Sequence, residues 1–289
     1  MNNEFQKAQH AYFKNPMYPS LSKSYKGVFP FNIGTTSFIY PDHYVPNVKM
    51  LGPYLDEIEL LLFESLPSDA LPSKAVIAEL SRLAEEYQLS YNIHLPTDVS
   101  ISDLQPEKQQ QAVDTLIGVI DLASALAPTV YTLHIPYNHK SYDHDTVKRW
   151  QGRVLKNLEK ILTAGIAAES IAVETLDYRF ELLNDIITEL NLNVCLDIGH
   201  LIVHEYDLNT LFNQYADITA IIHLHGVKSG HDHLALNKLA NKFIKPAMSI
   251  LNQFSGSVSL EVFAFDDLKP SLAFLEKHLK TVERMAEAE

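Results

Sequence analysis

From Phe31 onward the chain alternates between short apolar runs of strand type and longer stretches whose apolar residues recur every three or four positions. That alternation is the pattern of successive parallel βαβ units. Eight strand runs can be read: FNIGTTS at 31–37, EIELLLF at 57–63, SYNIHL at 90–95, VYTLHI at 130–135, SIAVET at 170–175, NVCLDI at 193–198, AIIHLH at 220–225 and VSLEVF at 258–263. Segments between them, such as SKAVIAELSRLAEEYQ and RWQGRVLKNLEKILTAGI, carry the one-sided apolar spacing of helices packed on a sheet. Eight strands, each followed by helical sequence, predict an α/β protein with a (β/α)8 TIM barrel.

Residues 1–30 break the pattern. They hold Pro16, Pro19 and Pro30 among Tyr12, Phe13, Tyr18, Tyr25 and Phe29, without periodicity, and are expected to form an irregular arm packed through its aromatics. The remainder, 31–289, is expected to be one catalytic barrel, since such barrels typically span ~250 residues. No Gly/Ser linker or low-complexity tract divides it.

Composition narrows the functional classes. Hydrophobic residues at 46% and charged residues at 20% suit a globular chain with a large core. Cys195 is the single cysteine, which excludes an intramolecular disulfide, and MNNEFQKAQHAYFKNP lacks the apolar run of a secretory signal, so a cytoplasmic location is expected. No apolar stretch approaches the ~18 residues of a membrane span. A formal net charge of -13 without a basic run disfavours nucleic acid, and a small-molecule substrate is expected instead.

In a TIM barrel the strand C-termini and following loops form the active face. Here nearly every strand brings an acid or an imidazole to it: Glu64 after the second, His94 on the third, His134 on the fourth, Glu174 on the fifth, Asp197 and His200 at the sixth, His223 and His225 on the seventh, and Glu261 on the eighth. Beyond the seventh strand, Gly226 and Gly230 allow the chain to curl so that His231 and His233, two residues apart, can return to the rim. A single histidine in IHLP would be an ordinary hydrogen-bonded core residue, and a single Glu at a strand end an ordinary cap. So many at one mouth would repel or resist desolvation unless a cation held them together. Mixed His, Glu and Asp ligation without cysteine suits Zn²⁺, Mn²⁺, Co²⁺ or Fe²⁺, and one to three ions, Zn²⁺ or Mn²⁺ foremost, are expected. His225, two residues past His223, is open between substrate binding, protonation of a leaving group and a plain loop histidine.

These residues resemble the xylose isomerase-like barrels, a superfamily that includes the AP endonucleases of family 2 and many sugar isomerases and epimerases, and the likeness covers roughly residues 31–280. The resemblance implies that Glu174, Asp197, His223 and Glu261 form the metal set shared with single-metal epimerases. Likeness to the AP endonucleases implies further ligands of a zinc cluster at His94, His134, His200, His231 and His233. One departure is that the endonuclease loop reads Asp-x-His where this chain has His231-Asp232-His233. The stretches IGTTSFIYPDHYVPNVKMLGPYLDEIELLLFES, YNIHLPTDV and HLHGV are similar to cobamide-remodelling phosphodiesterases of the CbiR type.

That resemblance implies a metal-dependent phosphodiesterase that opens the nucleotide loop of adenosylated cobamides, releasing cobinamide phosphate and an α-riboside. Clustered metals serve such a reaction by lowering the pKa of bound water to ~7 and neutralising charge at phosphorus. Glu174 and Glu261 are then central ligands, and Glu64 is a ligand, a partner of His94 or a water-orienting base. Tyr137, His139 and Lys140 in the loop after strand four, with Arg179 and Lys228, are candidate substrate contacts. The alternative is a sugar or sugar-phosphate isomerase or epimerase using one metal, with Glu174 and Glu261 as an acid and base pair. A metal-dependent binding protein without turnover and a nucleic-acid endonuclease complete the readings. The first leaves an intact ligand set unused, and the second meets the acidic charge.

Overall fold

A computed structural model describes residues 18–65 and 70–279. The first seventeen residues of the expected arm, with Tyr12, Phe13 and Pro16, and the last ten residues of the chain lie outside the described residues.

Eight parallel strands close into a barrel: β1 (Asn32–Thr36), β2 (Glu57–Leu61), β3 (Ser90–His94), β4 (Tyr131–Leu133), β5 (Ile171–Glu174), β6 (Asn193–Asp197), β7 (Thr219–Leu224) and, after a short antiparallel hairpin of β8 (Gly226–Lys228) and β9 (His231–Leu234), β10 (Ser257–Leu260). β1 pairs with both β2 and β10, which removes every sheet edge. Each of the eight anticipated runs is one of these strands, displaced by a few residues at its ends.

The helices are α1 (Tyr44–Leu51), α2 (Lys74–Tyr87), α3 (Pro106–Ser124), α4 (His144–Thr163), α5 (Asn184–Leu190), α6 (Ile198–Val203), α7 (Leu208–Tyr215), α8 (Asn241–Leu251) and α9 (Phe265–His278). Their starts are written in the sequence: Ser73, Asp143 and Asp207 accept from the backbone N–H groups of Val76, Thr146 and Thr210, and Pro106 opens α3. Spacing then fixes the packing face. α2 buries Ile77, Leu80 and Leu83, and α4 buries Trp150, Val154, Leu158 and Ile161, each a single stripe against the sheet. No helix among the described residues is long and apolar enough to cross a membrane.

The inside of the barrel departs from the usual filling of branched aliphatics. One side of its lower part holds the small cluster Val130, Ala172, Cys195 and Ile221. Another holds Glu57, fully enclosed, which accepts from Ser90 Oγ at 3.1 Å, Thr129 Oγ1 at 2.6 Å and Asn92 Nδ2 at 2.9 Å. Burial pushes the Glu57 carboxyl above its ordinary pKa, against the lowering effect of those donors.

The described part of the arm runs down the seam between the first and last βα units. Tyr18 packs on Tyr40 near the strand C-termini, Lys23 pairs with Glu276 of α9, and Asp56, just before β2, accepts from the backbone of Gly27 and Ile33. Tyr25, Phe29 and Phe31 stack in sequence and are buried. From residue 23 onward the arm is therefore at the closed end, away from the mouth.

The hairpin after β7 exists because the chain approaches itself closely there. A Cβ on Gly226 would lie 2.1 Å from the carbonyl oxygen of Ala235, so any side chain at that position would prise β8 from β9. This hairpin returns His233 to the mouth.

Candidate metal centre

The strand ends deliver the site. β3 ends on His94, β5 on Glu174 and β6 on Asp197. Register then sets Asp197 beside His223 and His223 beside Ser259, with Glu261 two residues further on. Glu174, Asp197, His223 and Glu261 each offer one ligand atom, and these four atoms all lie within 4.8 Å of one another. All four residues are buried.

A second group meets the first at Glu174. Its Oε2 lies 3.2 Å from His94 Nε2 and 2.9 Å from His134 Nε2, while its Oε1 lies 3.7 Å from His223 Nδ1. One carboxylate thus faces two sets of nitrogens through its two oxygens. Glu261 Oε2 stands 3.4 Å from both His223 Nδ1 and His233 Nε2. A third group, His200, His225 and His233, borders the quartet at Asp197 and Glu261.

The buried donor set fits divalent ions. Glu174 Oε1, Asp197 Oδ2, His223 Nδ1 and Glu261 Oε2 are enclosed and make no hydrogen bond within the described structure. Four orphaned atoms of ligand type, converging on one point, would carry an uncompensated desolvation penalty without a cation. Oxygen and imidazole donors without thiolate ligation suit a borderline ion such as Zn²⁺ or Mn²⁺. Cys195 also borders His223, but burial pushes its thiol well above the ordinary range, so it is a neutral neighbour.

Outer partners fix which ring nitrogen of several histidines is free. His94 Nδ1 lies 3.0 Å from the carbonyl of Leu95, whereas His200 Nδ1 lies 3.3 Å from the Thr175 carbonyl, 3.3 Å from Asp197 Oδ2 and 3.4 Å from Glu174 Oε1. His233 Nδ1 lies 3.1 Å from Asp232 Oδ1. An oxygen of this kind accepts, so the facing nitrogen carries the proton and Nε2 of His94 and His233 keeps its lone pair. His223 is turned the other way, with Nε2 3.1 Å from Glu59 Oε1 and Nδ1 toward the carboxylates.

Electrostatics report the same demand for positive charge. Burial alone would raise the Glu174 and Glu261 carboxyls, yet both are held well below the usual range, Glu174 by His134 and His223 and Glu261 by His223 and His233. Burial alone would lower the imidazoles, yet Glu174 raises His94, and Asp197 and Glu174 raise His200. His233 is lifted to about 9, chiefly by Glu261 once burial is overcome. Below that value the protonated His233 competes with an incoming ion for Glu261, so apparent metal affinity should climb as pH rises from 6 to about 9. Competition titration against a chelator checks this, and a flat profile would contradict it. For the metal-free protein the sign is opposite: the raised His233 stabilises fully below its ordinary 6.5, and that contribution fades as pH rises through about 9.

Of the expected ligands, the structure gathers His94, His134, Glu174, Asp197, His200, His223, His233 and Glu261 at one mouth. His231 stays outside this gathering, exposed on β9, because the left-handed backbone at His233 breaks the alternation that would keep the two on one face. Glu64 is exposed beyond β2. Tyr137 is buried, and its hydroxyl donates to the Ser141 carbonyl at 2.6 Å. His139 accepts from Arg153 Nη2 at 2.9 Å, with its pKa lowered by burial and by Arg153. Lys140, Arg179 and Lys228 are exposed, and His225 is fully buried.

Glu59 is the residue that sequence reasoning passed over. It is enclosed on β2, accepts from Ser259 Oγ at 2.5 Å and faces His223 Nε2. The signal was present in EIELLLF, where Glu57 and Glu59 alternate inside an otherwise apolar strand and so share its inner face. A carboxylate behind a metal-binding imidazole orients the ring and raises its basicity. Glu59→Gln should weaken metal binding about 10-fold or more, measured by chelator competition, with the fold retained in circular dichroism.

In sequence, residues 47–278 match the family described as xylose isomerase-like TIM barrel. No curated protein matches the sequence. Among solved structures, a D-tagatose 3-epimerase-like protein superposes with a TM-score of 0.73 at 18% identity, covering 90% of this chain and 100% of that one. An L-ribulose 3-epimerase gives 0.68 at 18%, covering 89% and 97%. Endonuclease IV from Thermus thermophilus gives 0.64 at 19%, covering 85% and 99%. At these identities the likeness is one of fold.

Proposed function

Since the chain belongs to the xylose isomerase-like TIM barrel family, we propose that it is a metal-dependent hydrolase that cleaves a phosphodiester bond in a small molecule, using more than one divalent ion. The observation that carries this reading is Glu174 Oε2 set between His94 and His134 while Oε1 faces the quartet with Asp197, His223 and Glu261. One ion needs only the quartet, so His94 and His134 make sense as ligands of another.

Bound ions would supply Lewis acidity and a lowered water pKa. The protein contributes position. Glu174 ties the two donor sets together, Glu59 and Leu95 hold His223 and His94 in register, and the buried walls keep the carboxylates from bulk water. Exposed Arg179 and Lys140 lie in loops at the strand C-terminal side and Lys228 ends β8, where they can meet an anionic substrate. The net charge of -13 supports a metabolite over nucleic acid. The resemblance of YNIHLPTDV and HLHGV supports the finer substrate assignment: the nucleotide-loop phosphodiester of adenosylated cobamides, cleaved in salvage and remodelling to cobinamide phosphate and an α-riboside.

A second reading has its own support. The quartet is complete for a one-metal sugar epimerase in which Glu174 and Glu261 act as acid and base, and solved structures with this fold include sugar 3-epimerases. Assaying the Zn²⁺- and Mn²⁺-loaded protein on adenosylcobalamin, on a chromogenic phosphodiester and on ketohexoses separates the two. Phosphodiester cleavage without ketose epimerisation is expected, and C3 epimerisation alone would overturn the proposal.

A further inference from the structure

His225 differs from His94 and His233, the imidazoles at the mouth whose Nδ1 has an outer oxygen partner. Those two face an accepting oxygen with Nδ1, so each carries its proton on the outer side. His225 Nδ1 instead receives a hydrogen bond from the backbone N–H of His233 at 2.9 Å. A backbone N–H only donates, so this nitrogen holds a lone pair, and the neutral ring carries its proton on Nε2. That is the side facing the cluster, with Asp197 Oδ1 3.2 Å away.

The surroundings fix this orientation. The ring is fully buried and stacks on His233 with centroids 4.2 Å apart and planes 14° from parallel. It lies over Gly199, where a Cβ would sit 1.9 Å from His225 Cε1, so the seat exists only without a side chain there. His233 holds a left-handed backbone with φ of 53°, a conformation that a residue other than glycine keeps only where its neighbours over-determine it.

The consequence falls on Asp197. Its Oδ1 accepts from the backbone N–H of His200 at 2.8 Å and lies 3.2 Å from His225 Nε2, a buried nitrogen that makes no hydrogen bond within the described structure, while Oδ2 has no hydrogen bond either and looks into the quartet. We propose that His225 is a positioning residue whose Nε2–H side sets Asp197 by a charge–dipole contact at Oδ1 and links it through Nδ1 to the His233 backbone, leaving Oδ2 for the metal, and that His225 itself does not ligate. The grouping of His200, His225 and His233 is then not a three-nitrogen metal site, because one of its members presents an N–H. This inference rests on the metal-site reading above.

The test uses protein labelled with ¹⁵N at histidine and loaded with ¹¹³Cd²⁺ as the probe ion, the His225 signals being assigned from the His225→Gln spectrum. Cadmium coupling is expected at His94, His134 and His223, with His225 uncoupled and protonated on Nε2. Coupling at His225, or a proton on its Nδ1, would overturn the proposal while leaving the metal site standing; coupling at no histidine would sink both. Paired variants give a second readout through ion count and affinity. Glutamine can place an amide donor near the position of Nε2, so His225→Gln should keep affinity within a few-fold, whereas His225→Ala should lower it about 10- to 100-fold without changing the number of ions. Loss of one ion in both variants would show that His225 is a ligand.

Discussion

Replacing Glu174 with glutamine should remove nearly all tightly bound metal and reduce turnover at least ~10³-fold, the largest loss expected for any single substitution here. This side chain faces both donor sets: Oε2 lies within 3.2 Å of His94 and His134, and Oε1 faces His200 and His223. Glutamine keeps the volume and removes the charge, so the barrel should fold. The imidazoles that Glu174 holds above their ordinary pKa, His94 and His200 among them, would titrate lower. Elemental analysis and steady-state kinetics check the result, and retention of wild-type metal content would contradict the central place given to this carboxylate.

His134→Ala is the second large effect, and it discriminates between chemistries. His134 is about a quarter exposed at the mouth, where it meets Glu174 and packs edge-on against His94, so truncation leaves no closed cavity and should spare stability. The quartet of Glu174, Asp197, His223 and Glu261 remains whole. Phosphodiester cleavage should fall on the order of 10²-fold or more with loss of about one ion per chain. An epimerase working with the quartet alone would keep its rate. Parallel assays of the variant on both substrate types therefore decide between the two readings.

Much of this site was legible in the sequence because barrel topology turns a one-dimensional rule into a place. Residues at strand C-termini meet at one mouth, and the eight runs were recognisable from their apolar content and from helical spacing between them. Glu174, Asp197, His223 and Glu261 needed only that rule. What escaped depends on side-chain direction and on local turns. Glu59 hid inside a strand because a carboxylate in an apolar run reads as an exception until its partner, His223 on a distant strand, is in view. His231 and His233 looked equivalent by spacing, yet the β8–β9 hairpin and the left-handed backbone at His233 bring only the second to Glu261. Tyr137 stood among candidate substrate contacts, and its burial follows from packing against Trp150 and Tyr178, residues far from it in sequence. His225 could be placed on the inner face from its spacing to His223, but its hydrogen-bond polarity comes from a backbone N–H eight residues away.

Counting and placing the divalent ions in the metal-loaded protein, by anomalous scattering from crystals with elemental analysis of the same material, tests the central claim most directly. Two ions per chain are predicted, one held by His94, His134 and Glu174 and one by Glu174, Asp197, His223 and Glu261. A single ion confined to the second set, with His94 and His134 unligated at saturating metal, would contradict the account.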